Sequence, residues 1–126
     1  MRRRVLVVDD EPLFAEMMRD VLAGLPGGVD VSTAANGHAA VEAVRQSAPD
    51  LVMLDINMPE MNGLDALKHI RALDPGMPVL MITGCDSESA SAALANGAFG
   101  YLPKPMDVRY VGHLVQLALG TRPARR

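Results

Sequence analysis

Three stretches of the chain, Val5-Leu6-Val7-Val8, Leu51-Val52-Met53-Leu54 and Val79-Leu80-Met81-Ile82, are apolar without interruption. The absence of alternation predicts strands covered on both faces. Each run stops at a polar residue: Asp9-Asp10-Glu11 after the first, Asp55 after the second, Thr83 after the third. Val29 to Ala34 behaves differently, alternating Val29, Val31 and Thr33 against Asp30 and Ser32, and predicts a half-exposed edge strand. Phe99 to Leu102 predicts a fifth strand, with Pro103-Lys104-Pro105 as the loop beyond it.

Between the strands the period changes to that of a helix. Phe14, Met17, Met18, Val21 and Leu22 form an apolar stripe behind Pro12, a residue suited to a first helical turn, and Gly24 with Pro26-Gly27-Gly28 ends it. His38 to Ser47 places Ala40, Val41 and Val44 on one side and closes before Pro49; Asn36-Gly37 predicts the turn ahead of it. Gly63 to Leu73 aligns Leu64, Leu67, Ile70 and Leu73 before Asp74-Pro75-Gly76. Ser87 to Asn96 is a weak helix of alanine and serine capped by Gly97, and Asp107 to Leu119 carries Val108, Val111, Leu114, Val115 and Ala118.

Strands alternating with helices imply a parallel sheet wrapped on both faces, because right-handed crossovers return each strand through a helix. The predicted fold is α/β, a doubly wound (βα)5 unit of the flavodoxin-like kind. The edge character of the second strand beside the buried first, third and fourth favours the order 2-1-3-4-5. That order makes the first and third strands neighbours and puts a ligand crevice between their C-terminal ends. Pro59 disfavours α geometry at Met58, which keeps the loop after Asp55 open.

Composition sets the outer limits. A chain of 126 residues fits one domain. We expect it over residues 1–120, with 121–126 and its three arginines as a basic tail or the start of a linker. Met1-Arg2-Arg3-Arg4 resembles the head of a signal peptide, but the apolar run behind it stops at Asp9, too soon for export or a membrane span. One cysteine, Cys85, suits a reducing compartment, and the expected location is cytoplasmic. A net charge of −3 without a basic face gives no reason to expect nucleic-acid binding. The nine methionines are mostly core filler, and His38, His69 and His113 belong to helix surfaces.

With the first and third strands adjacent, Asp9, Asp10 and Asp55 converge. Like charges about 4 Å apart repel by roughly 4 kcal/mol at a protein-like dielectric, so the cluster calls for a cation. An all-oxygen set with spare positions matches Mg²⁺. Thr83 and Lys104 bring a hydroxyl and an ammonium to the same crevice. Together they describe a site for a phosphoryl group on a carboxylate.

The Asp9-Asp10 pair, Asp55, Thr83 and Lys104-Pro105, in this order and spacing, resemble the receiver domain of bacterial two-component response regulators, of the chemotaxis-regulator-like kind, from about Val5 to Leu119. The resemblance implies that Asp55 accepts phosphoryl from a sensor histidine kinase or a histidine phosphotransfer protein. It further implies that Asp9, Asp10, Asp55 and the backbone carbonyl of Asn57 hold Mg²⁺, that Thr83 and Lys104 bind phosphoryl oxygens, and that Tyr101 is a switch aromatic which turns inward as Thr83 moves. The Lys104-Pro105 bond would be cis. A downstream protein target would read the switch. The expected protein is a single-domain phosphoacceptor rather than a turnover enzyme; the alternative is an N-terminal receiver cut from a longer regulator with an output domain.

Two rivals share parts of this pattern. Haloacid-dehalogenase-like phosphatases need a second aspartate two positions after the nucleophile, and Asn57 stands there. A flavin-binding module needs a glycine- or hydroxyl-rich loop after the first strand, where this chain has Asp9-Asp10-Glu11. Receivers that pair through the fourth helix, fifth strand and fifth helix commonly carry an acid before the switch aromatic. Gly100 precedes Tyr101 here, and residues 87–96 contain no Lys or Arg, which argues against that mode of pairing. Gly84, where alanine is common in the family, should widen access beside the phosphate.

Overall fold

A computed structural model of the chain describes residues 3–58, 61–84, 87–104 and 106–121, the side chain of residue 87 excepted. The elements alternate as β1 (Arg3–Val8), α1 (Pro12–Ala23), β2 (Val29–Ala34), α2 (Gly37–Ser47), β3 (Leu51–Asp55), α3 (Gly63–Leu73), β4 (Val79–Thr83), α4 (Ser87–Ala95), β5 (Gly100–Pro103) and α5 (Val108–Leu119). All strand pairs are parallel and the order is β2-β1-β3-β4-β5. The three uninterrupted apolar runs are the three inner strands, and β3 and β4 are buried at every residue.

The sheet separates two apolar clusters. One side packs Leu6, Val8, Leu54 and Met81 against α2, α3 and Ala93 of α4. The other packs Val5, Val7, Met53 and Ile82 against Met18 and Leu22 of α1 and Val111 and Val115 of α5. Alternate residues of one strand therefore serve opposite cores, as a period of two dictates. Burial of Val, Leu, Ile and Met side chains at about 1.5–3 kcal/mol each makes these layers the main source of stability.

Local chemistry starts the helices where backbone amides lack partners. Asn36 and Asn62 cap α2 and α3 through Oδ1, accepting from Ala39 N at 2.8 Å and Asp65 N at 3.0 Å. Asp107 caps α5, and the amide of Arg109 that it accepts holds its carboxyl below the ordinary value. At the other end of β3, buried Asp50 accepts Arg4 N at 2.8 Å and donates its own amide to Arg4 O at 2.8 Å, tying the start of β3 to β1.

Several expectations need correction. Asn36-Gly37 is less a turn than the N-terminus of α2, since Asn36 is its cap. β1 begins at Arg3, and β5 runs from Gly100 to Pro103, one residue later than the apolar pattern suggests. The stripes also overreach: Met17, Leu73 and Val108 are exposed, because each sits at the margin of a helical face too wide for the sheet to cover. Thr33 is exposed on β2, although Val29 on the same alternation is buried. Among the described residues no helix is long and apolar enough to cross a membrane.

Candidate functional site

The register Val8↔Leu54 puts the residues after β1 and the end of β3 side by side. Asp9, Asp10 and Asp55 consequently each offer a carboxylate oxygen within 4.8 Å of the others. Asp9 and Asp55 are buried, Asp10 is exposed. Each buried acid uses one oxygen to hold its own loop: Asp9 Oδ1 accepts Glu11 N at 2.8 Å and Asp55 Oδ1 accepts Asn57 N at 3.1 Å. Their second oxygens face Lys104, whose Nζ lies 3.4 Å from Asp9 Oδ2 and 3.5 Å from Asp55 Oδ2.

Lys104 is delivered by β5. The pair Thr83↔Pro103 and the bond from Lys104 N to Thr83 O at 2.7 Å fix the loop across the end of β4. Its ammonium also reaches Glu11 at 3.9 Å and sits 4.3 Å from the centre of the Phe14 ring. Burial alone would lower the Lys104 pKa, yet the carboxylates of Asp55 and Asp9 raise it. Asp55 moves upward as well: burial raises its pKa, the Asn57 amide opposes this, the Asp9 carboxylate adds to it, and Lys104 offsets only part.

Thr83 ends β4 with its side chain buried, and its Oγ1 has no hydrogen-bond partner among the described residues. A hydroxyl left so is costly, by about 1–3 kcal/mol. Tyr101 stands exposed on β5, 41% accessible. His38, His69 and His113 are exposed on α2, α3 and α5, outside the acidic crevice. Cys85 and Pro105, and with it the peptide bond after Lys104, lie outside the described residues.

Residues 5–116 match the family model for the response regulator receiver domain. The chain belongs to this family. The receiver is 44% identical over 106 residues to the DNA-binding response regulator MtrA of Mycolicibacterium smegmatis, covering 83% of this chain and 45% of that protein. It is 41% identical over 116 residues to a protein-glutamate methylesterase/protein-glutamine glutaminase of a Nocardioides species, covering 90% of this chain and 32% of that one. A CheY-like receiver domain protein from Methanospirillum hungatei superimposes with a TM-score of 0.88 at 27% identity, covering 95% of each chain. The receiver spans less than half the length of these two curated relatives.

The donors fit the cation that receivers bind. Three carboxylates already converge, one is open to solvent, and an ammonium bridges two of them as a stand-in positive charge. Hard oxygen ligands with room for retained water are the environment Mg²⁺ takes. Two neighbours of the site, Glu11 and Phe14, carried no functional assignment from sequence: Glu11 read as part of an acidic run, Phe14 as core.

Proposed function

We propose that Asp55 accepts a phosphoryl group from a sensor histidine kinase or a histidine phosphotransfer protein, in a cytoplasmic signalling role without turnover of other substrates. One observation carries this reading: the buried carboxyl of Asp55 shares a crevice with two further carboxylates and lies 3.5 Å from Lys104. Asp9, Asp10, Asp55 and the backbone carbonyl of Asn57 would hold Mg²⁺, which supplies charge neutralisation for phosphoryl oxygens.

The remaining chemistry belongs to the chain. A carboxylate oxygen of Asp55 forms a bond to phosphorus while the bond from phosphorus to the donor imidazole nitrogen breaks, and that nitrogen leaves with the electron pair. Lys104 pairs with one phosphoryl oxygen, and the Thr83 hydroxyl donates to another. Asn57, an amide, offers no proton to a leaving group, so phosphate-ester turnover is disfavoured. Acetyl phosphate should label the wild-type protein stoichiometrically in Mg²⁺ and not at all after chelation, with the label mapping to the peptide containing Asp55. Equal labelling in excess chelator would overturn the metal dependence.

The output follows from what moves when Thr83 finds its partner. Ala90 and Ala93 supply the buried contacts of α4, whereas α1, α3 and α5 bury leucine, isoleucine, methionine or valine. Small side chains fix a helix weakly. Amide exchange in α4 should be faster than in β3 and β4, and should change when beryllofluoride is added with Mg²⁺. Slow exchange that ignores the mimic would remove α4 as the responding element. Thr83 and Tyr101 are the levers of this switch, read by a downstream protein. The length of the curated relatives supports the alternative setting, a receiver joined to an output module; the coding sequence beyond Arg126 distinguishes the two.

A further inference from the structure

Phe14 is placed by α1, two residues into the helix, and its half-buried ring packs against the cluster built from Met18, Leu22, Val111 and Val115. Apolar packing accounts for the inner part of the ring. It does not account for the ammonium of Lys104 over the ring, 4.3 Å from the centroid. The same ammonium is 3.5 Å from Asp55 Oδ2, so its position above Phe14 is also the position from which it reaches a group attached to that oxygen.

We infer that Phe14 is a positioning residue for Lys104, holding its ammonium at the mouth of the crevice by cation–π attraction. The inference rests on the reading of Asp55 as phosphoacceptor and assigns a part in that reaction to a side chain outside the acidic cluster. A lysine stem is long and flexible, and three carboxylates of different depth compete for its charge: Asp9, Asp55 and exposed Glu11. When a metal takes over the oxygens of Asp9 and Asp55, the carboxylate hold on Lys104 weakens. The negative face of the ring does not titrate and binds no metal, so its attraction persists through that exchange.

The test separates this role from packing. In metal-free protein, exchange of the Lys104 ammonium protons with water, followed by NMR on ¹⁵N-labelled lysine, should quicken roughly two- to fivefold in Phe14→Leu, the change that a surface cation–π contact would give. Phe14→Tyr, which keeps the ring, should restore the wild-type rate. The rate constant for Asp55 labelling by acetyl phosphate in Mg²⁺ should fall by a similar factor in Phe14→Leu, and the Leu substitution should have no effect when made in Lys104→Gln. Thermal unfolding fixes a temperature at which every variant is folded, and Phe14→Met replaces the Leu variant if that one is not. Equal losses in the wild-type and Lys104→Gln backgrounds, or wild-type exchange in Phe14→Leu, would reduce the ring to core packing. Should the wild-type protein take no label on Asp55, the phosphoacceptor reading falls, while the ammonium exchange still decides whether Phe14 holds Lys104.

Discussion

Asp55→Asn should take no phosphoryl label from acetyl phosphate in Mg²⁺, and the metal-free variant should melt higher than the wild type at neutral pH. The first effect is complete because the amide lacks the anionic oxygen that attacks phosphorus. Full labelling of the variant would identify another acceptor. The second effect follows from the site's electrostatics. Burial and the neighbouring Asp9 push the Asp55 carboxyl above its ordinary value of 3.8 in spite of the Asn57 amide and Lys104. A folded-state pKa above the unfolded one means that the native state holds the proton more tightly. Stability is therefore lost as pH rises from the unfolded value through the folded one, and the penalty stays constant above both. Asparagine escapes the penalty while its Oδ1 can still accept from Asn57 N, and Lys104 keeps Asp9 at 3.4 Å. The gain should shrink as pH falls through the raised folded-state value and vanish below the ordinary carboxylate value. A lower melting point for Asp55→Asn at neutral pH would mean that the pairing of Lys104 with Asp55 outweighs repulsion among the acids.

That balance depends on which side chains meet, and sequence reveals such meetings unevenly. The inner strands were legible because a strand covered on both faces admits no polar alternation, and β1, β3 and β4 have none. Once their order follows from topology, the convergence of Asp9, Asp10 and Asp55 follows as well. Helix faces were less legible, because an apolar stripe records spacing but not how much of it the sheet covers. Met17, Leu73 and Val108 continue such stripes into solvent. Phe14 belongs to a stripe too, and spacing alone could not reveal that its ring lies against a lysine from the far end of the chain. Asp50 precedes a strand, a place where an acid usually reads as a turn former, whereas its carboxyl is buried on the Arg4 amide. β5 slipped by one residue because a short strand carries little pattern with which to set its ends.

Gly63→Ala should destabilise the protein by at least about 3 kcal/mol, at the upper end of overpacking substitutions, and disturb Asp55 wherever the variant still folds. Helix propensity argues the opposite, since alanine inside a helix is worth about 1 kcal/mol over glycine. Geometry decides the sign. A Cβ on Gly63 would stand 2.2 Å from the backbone oxygen of Asp55 and 2.6 Å from the Cα of Ile56. Backbone cannot swing aside as a side chain can, and this backbone is tethered on both sides: Ile56 N donates to Ile82 O at 3.0 Å, and Gly63 N to Ile56 O at 2.8 Å. Relief must come from withdrawing the start of α3, which breaks the second bond, or from bending the chain that carries Asp55. The first route frees Ile56 O, next to Asp55, and the second moves the carboxyl of Asp55 relative to Lys104. Gly84→Ala is the control, because a Cβ there meets nothing within 4 Å although the residue directly follows Thr83. Denaturant unfolding of the two variants should show Gly84→Ala near the wild type and Gly63→Ala far below it. A wild-type midpoint for Gly63→Ala would mean that α3 can retreat at no cost and that close contact with β3 does not hold Asp55 in place.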